Sequence, residues 1–209
     1  MGQVIEIGRR RKAVQKNKLR SVPPGRRKNS DLRSREYLTP DEVAALVAQA
    51  GKIGRHPIRD RALILAMYRH GLRVSELIDL KWNQIDFKAA EMHIRRLKNG
   101  TPAVHPIKGD ELRLLRKVKR EYQSKFVFVS ERGAPLSRSA VAAIVKRAAE
   151  GAEVALAVHP HMLRHACGYY LANKGVDTRT IQSYLGHRSI QHTVRYTELA
   201  PGRFSDLWD

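Results

Sequence analysis

The chain has 209 residues, with 40 Lys+Arg against 20 Asp+Glu and a formal net charge of +20. That length suits one domain of ordinary size carrying an arm, and that charge favours a polyanionic partner: DNA, RNA or an acidic membrane face. A single cysteine, Cys167, excludes an intramolecular disulfide framework and a Cys-rich zinc site, and fits a reducing compartment. No apolar run approaches ~20 residues and no signal-like apolar segment opens the chain, so a soluble cytoplasmic protein is expected.

Residues 1–36 read as a basic arm. Twelve basic residues against two acidic ones, Glu6 and Asp31, fall within 1–35, and Pro23-Pro24-Gly25 interrupts them. Such a segment buries too little apolar surface to offset its ordering entropy, and its expected role is phosphate contact. The folded part, residues 37–196, opens on Thr39-Pro40-Asp41-Glu42, a capping box with proline at the first helical position. Val43, Leu46 and Val47 carry that helix to about Gly51. A second helix runs from about Pro57 to His70, with Leu63, Ile64, Met67 and Tyr68 inward and Gly71 just past its end. Val74–Leu80 makes a short helix. The period then changes: Trp82–Phe87, Met92–Leu97 and Ala103–Ile107 read as strands, with Asn99-Gly100 as a hairpin turn. Glu111–Tyr122 is an amphipathic basic helix, Phe126–Val129 is extended, and Ser137 caps a helix to about Glu150. His161–Asn173, Thr178–Leu185 and Ser189–Tyr196 complete the helices. The expected fold class is mainly α with a small antiparallel β-sheet (α+β).

The last third carries the chemistry: His-Pro-His-Met-Leu-Arg-His at 159–165, Tyr-Leu-Gly-His-Arg-Ser at 184–189, and His-Thr-Val-Arg-Tyr-Thr at 192–197. His161 and Arg164 are three apart, so they share a helical face. Arg73, in Gly-Leu-Arg-Val-Ser-Glu-Leu at 71–77, sits just past a helix end, where backbone can present it into a cleft. Two guanidiniums can hold the non-bridging oxygens of one phosphate and keep their charge at working pH. Tyr196 is the candidate nucleophile; a phenol with an ordinary pKa near 10 needs a base or a cationic pocket, and His187, His192 and Arg195 lie nearby in sequence. Lys98, at the hairpin tip, could protonate a leaving alkoxide. Tyr169, Tyr170 and Tyr184 read as packing residues.

Gly-Leu-Arg-Val-Ser-Glu-Leu, the hairpin lysine, His-x-Leu-Arg-His, Leu-Gly-His and the final tyrosine, in this order, resemble the tyrosine recombinase (phage integrase) family. The resemblance covers about Tyr37 to Tyr196. His-Pro-His-Met-Leu-Arg-His-Ala-Cys-Gly-Tyr, Arg-Arg-Leu-Lys-Asn-Gly and Tyr-Arg-His-Gly bring it nearest to the small recombinases that invert fimbrial promoter switches. It implies that Tyr196 attacks the scissile phosphate to form a 3′-phosphotyrosyl link, Arg73 and Arg164 clamp the phosphate, and Lys98 is general acid for the 5′-oxygen. It further implies that His161 assists proton transfer, His187 hydrogen-bonds the phosphate, and Glu76 and His165 support these groups. No cofactor or metal is implied. The implied partners are duplex DNA with inverted-repeat sites, three further copies of the chain in a tetramer, and DNA-bending accessory proteins, in a bacterial cytoplasm at the nucleoid. Residues 197–209 form a short tail whose Phe204, Leu207 and Trp208 give a small apolar face for a neighbouring protomer. The rival readings are a type IB topoisomerase-like nicking and closing enzyme, a non-catalytic DNA-binding protein retaining the fold, and an RNA-associated basic protein.

Overall fold

The computed structural model describes residues 35, 37–96 and 102–198. The arm apart from Arg35, Lys98 with the Asn99-Gly100 turn, and the tail beyond Glu198, with Phe204, Leu207 and Trp208, lie outside the described residues. Eight α-helices and one three-stranded sheet make up the described part: α1 Pro40–Ala50, α2 Pro57–Arg69, α3 Val74–Ile78, β1 Ile85–Asp86, β2 Glu91–Ile94, β3 Ala103–Pro106, α4 Gly109–Glu121, α5 Arg138–Gly151, α6 Pro160–Asn173, α7 Thr178–Leu185 and α8 Gln191–Glu198. The expected mixture of helices with one small antiparallel sheet is what forms. Among the described residues no helix is long and apolar enough to cross a membrane.

The capping box at α1 closes as its sequence requires. Thr39 Oγ1 accepts from the Glu42 amide at 3.3 Å, and the Glu42 carboxylate accepts from the Thr39 amide at 2.8 Å. Helix α1 lays Val43, Leu46, Val47 and Ala50 against α2 and α5. Helix α2 is buried along most of its length, because α1, α4 and α6 all pack on it. One large core joins α1 to α6 and the sheet, while a smaller cluster of Cys167, Ala172, Ile181, Leu185 and Tyr196 knits α6, α7 and α8 together. The candidate nucleophile therefore belongs to the packing of the last three helices.

The sheet has the order β1-β2-β3, both pairs antiparallel, with Met92 opposite Ile85 on one side and His105 on the other. The expected strand over 82–87 is shorter. Trp82–Gln84 is a 3-10 turn, because the Gln84 side chain accepts from the Lys81 amide at 3.1 Å and donates to the His93 carbonyl at 2.8 Å. Asp86 then accepts from the amides of Lys88 and Ala89 and ends the strand in a turn. The expected extended run at 126–129 forms isolated bridges to Lys81 and Pro135. Helical limits also move: α3 stops at Ile78, and α8 starts at Gln191 and passes Tyr196 to reach Glu198.

Candidate active site

Arg73 is the N-cap of α3, and Glu76 stands one turn on, where a carboxylate complements unsatisfied helix amides. Glu76 Oε2 accepts from the Arg73 amide at 2.9 Å, and Oε1 accepts from Arg73 Nη1 at 2.7 Å. The side chain of Glu76 is 1% exposed, whereas that of Arg73 keeps 28%. Two more guanidiniums meet the same carboxylate: Arg96 Nη1 at 2.9 Å and Arg164 Nη1 at 4.0 Å. Burial alone would raise the Glu76 carboxyl, but Arg96, the Arg73 hydrogen bonds and Arg164 outweigh it and hold it below its ordinary value. One buried anion thus gathers three cations from α3, the end of β2 and α6.

Arg164 differs from Arg73 in access. It is 1% exposed; Nη1 donates to the Gly71 carbonyl and Nη2 to the Leu185 carbonyl at 2.6 Å. Burial first, then the neighbouring Arg73 and Arg96, push its guanidinium down to about 10, so it stays charged at neutral pH. Arg73 is the guanidinium at the surface, and Arg164 is the one beneath it.

Tyr196 is 1% exposed. Its hydroxyl lies 2.8 Å from His165 Nδ1, its ring meets Tyr169 edge-on at 5.0 Å, and the Arg195 guanidinium sits 5.3 Å from its centroid. Burial raises the phenol above its ordinary value, and Arg195 and Arg164 pull the other way without reversing it. His165 is pushed down to about 2 by burial and then by Arg195, so it is neutral. Arg195 carries only donors and places Nη2 2.8 Å from His165 Nε2, an arrangement a neutral imidazole accepts and an imidazolium would not.

Gly168 permits this placement. A Cβ there would lie 2.6–2.8 Å from three carbons of the Tyr196 ring. A Gly168→Ala protein is expected to lose about 1–3 kcal/mol of stability by overpacking, read from denaturant unfolding, as its ring is forced out of its seat. Unchanged stability would place the phenol elsewhere.

The two remaining histidines flank the group. His187 follows Gly186, the left-handed C-cap of α7; its Nδ1 lies 2.9 Å from the hydroxyl of buried Thr193 and its ring stacks toward Tyr196 at 6.3 Å. His161 stands exposed at the rim of α6, 4.4 Å from the His165 ring. Desolvation first, then Arg164, lowers His187 to about 3 and His161 to about 4, the latter through the ring face packed on His165 while its outer edge meets solvent. Both are neutral at pH 7 and add no repulsion to the guanidiniums. His192, expected beside the phenol, is exposed and contacts His187.

Arg73, Glu76, His161, Arg164, His165, His187 and Tyr196 thus gather at one place, and Lys98 lies outside the described residues. None of these seven lines the cavity of about 570 Å³ formed by α1, α2, α6 and the start of α4. An open cationic surface suits one phosphate of a long polymer better than an enclosed chamber would.

Sequence reasoning missed Arg96. A signal was present: Met92 and Ile94 are buried on alternate positions of β2, and Arg96 continues that inward face. It also missed Arg195 as the partner of His165, and a buried group in which His70 joins Glu111 at 3.1 Å and His105 at 3.3 Å.

The chain is 46% identical over 182 residues to "Type 1 fimbriae regulatory protein FimE" of Escherichia coli (strain K12), covering 84% of this chain and 91% of that one. It is 42% identical over 186 residues to "Type 1 fimbriae regulatory protein FimB" of the same strain, covering 86% and 92%. The solved structure of XerA recombinase superposes with a TM-score of 0.71 at 25% identity, over 82% of this chain and 63% of that chain, so this chain spans less than two thirds of its length. Residues 36–203 match the phage integrase family model, and the protein belongs to the phage integrase family.

Proposed function

We propose that this protein is a site-specific DNA recombinase that cuts and rejoins strands through a 3′-phosphotyrosyl intermediate, and that its outcome is inversion of a promoter-type switch. The observation that carries the reading is the convergence of Arg73 and Arg164 on Glu76, with the Tyr196 phenol within the field of Arg164. The similarity to FimE and FimB supports the fimbrial-switch assignment.

In this mechanism the Tyr196 oxygen attacks phosphorus, the phenolic proton passes to the neutral His161 imidazole, and the bond from phosphorus to the 5′-oxygen breaks. Arg73 binds a non-bridging oxygen from the open side, and Arg164 supplies fixed positive charge from below, placed in advance of the charge that develops. A Thr193 hydroxyl donating to His187 Nδ1 leaves the ring hydrogen on Nε2, where it can donate to the phosphate. His161 assists proton transfer and Lys98 protonates the departing 5′-oxygen. The covalent link retains the phosphodiester bond energy, so rejoining needs no ATP. Because the phenol is buried against His165, attack requires its release from that partner once DNA is bound.

Residues 37–196 form the catalytic domain, the tail at 197–209 serves a neighbouring protomer, and four protomers hold two duplexes with inverted-repeat sites. The basic arm binds backbone phosphates. Deleting residues 1–35 is expected to weaken duplex binding and to flatten its salt dependence by about 0.9 log unit for each phosphate that the arm neutralises. An unchanged slope in a salt titration would remove the arm from the interface. The reaction class is tested with suicide duplexes tiled across the DNA flanking the coding sequence. A covalent protein–DNA adduct linked through Tyr196 is the expected product, and failure of every duplex to give one would refute the reading.

A further inference from the structure

We propose that Arg96 is a positioning residue that sets both phosphate-binding arms of the site, Arg73 and His187, from beneath; this rests on the reading of those two residues given above. The Arg96 side chain is 0% exposed and emerges just beyond β2. Its Nη1 donates to Glu76 Oε2 at 2.9 Å, so it fixes the carboxylate that in turn holds Arg73. Its Nη2 donates to two backbone carbonyls, His70 at 3.3 Å and Tyr184. Arg164 donates to the next carbonyl in each turn, Gly71 and Leu185. Two guanidiniums from different elements therefore bridge the same two turns at successive residues. One turn leads into Arg73 and the other into His187.

Gly186 closes the arrangement. It adopts φ +64°, and a Cβ there would lie 2.7–2.9 Å from Arg96 Cγ, Cδ and Nε. The Arg96 stem thus runs directly under the residue that precedes His187. His105 of β3 reaches the same two turns: its ring stacks on Tyr184 at 3.7 Å and its Nδ1 lies 3.3 Å from His70 Nδ1. A planar fork is needed to reach one carboxylate and two carbonyls at once; a lysine would restore the charge and lose that geometry.

The test compares Arg96→Lys with the wild type, using the suicide duplex that gives an adduct with the wild type. At saturating DNA, adduct formation is expected to slow by about tenfold to a hundredfold, the range that a misplacement of ~1 Å produces. DNA affinity should stay within about threefold, because many phosphate contacts share it. In the double variant Arg73→Ala with Arg96→Lys, the lysine should slow cleavage less than it does in the wild type, since one of the two arms that Arg96 sets is already gone. Gly186→Asn supplies a second route that removes no charge: asparagine tolerates the left-handed backbone, so its Cβ acts chiefly by pushing the Arg96 stem aside and should reproduce the slow cleavage with retained affinity, even if Arg96→Lys does not fold. Wild-type cleavage rates in either folded variant, or effects that add fully in the double variant, would overturn the proposal alone. A wild type that forms no adduct on any duplex would overturn the underlying reading and the proposal with it.

Discussion

A Tyr196→Phe protein is expected to bind duplex DNA as the wild type does and to form no covalent adduct, a loss of at least about 10⁴-fold, since removing a catalytic nucleophile typically costs up to about 10⁶ in kcat. The substitution is clean for a structural reason. The ring is what packs: it fills the space over Gly168, meets Tyr169 edge-on and stacks toward His187, and phenylalanine keeps all three neighbours. Only the hydroxyl goes, with its hydrogen bond to His165 Nδ1, worth about 1 kcal/mol net. His165 keeps Arg195 beside it. Thermal unfolding should shift little, so an absence of cleavage cannot be blamed on a damaged fold. An adduct formed by the Phe protein would move the nucleophile to another phenol. Tyr184 is a poor substitute because its hydroxyl donates to the Arg69 carbonyl at 2.8 Å, and Tyr170, 40% exposed, lines the cavity that none of Arg73, Arg96 and Arg164 enters.

What the sequence made legible follows from the range of the forces involved. Thr39 and Glu42 announce the start of α1 because the capping box is local, and Ser137 announces α5 in the same way. Arg73, Arg164 and Tyr196 could be named from ordered motifs, and the fold brings them together as that order implies. The burial of Arg164 was not legible. Its two carbonyl partners, Gly71 and Leu185, lie 93 and 21 residues away, and no local pattern encodes them. The 82–87 strand failed for a related reason: alternating apolar residues favour extension, but Gln84 and Asp86 offer the backbone competing hydrogen bonds, and these win over three residues. Arg96 was hidden because an arginine on the inward face of a strand contradicts the rule that reads inward positions as apolar. Such contradictions tend to fall where a fold serves function, and this one carries the centre of the cation cluster.

Glu76→Gln should be among the most destabilising conservative changes in this protein, costing about 3–5 kcal/mol, the usual penalty for removing one partner of a buried ion pair. The amide is nearly isosteric, so packing is unaltered, and the cost is electrostatic. Arg96 and Arg164, 0% and 1% exposed, would face each other and Arg73 with no anion between them. The glutamine NH₂ group would in addition turn a donor toward one of the guanidiniums, where the wild type offers only acceptors. The pH dependence gives a second check. The folded-state carboxyl of Glu76 lies below its ordinary value of 4.5, so its contribution is complete above pH 4.5 and is lost as pH falls through the folded-state value. The stability gap between wild type and Glu76→Gln, from denaturant midpoints, should therefore be constant from pH 8 to about pH 5.5 and should narrow in acid below 4.5. A gap that stays constant in acid would mean that Glu76 is not the charge that balances the cluster. A gap near zero at pH 7 would mean that the three guanidiniums hold their places without it, and Arg73 would then owe its aim to the α3 backbone alone.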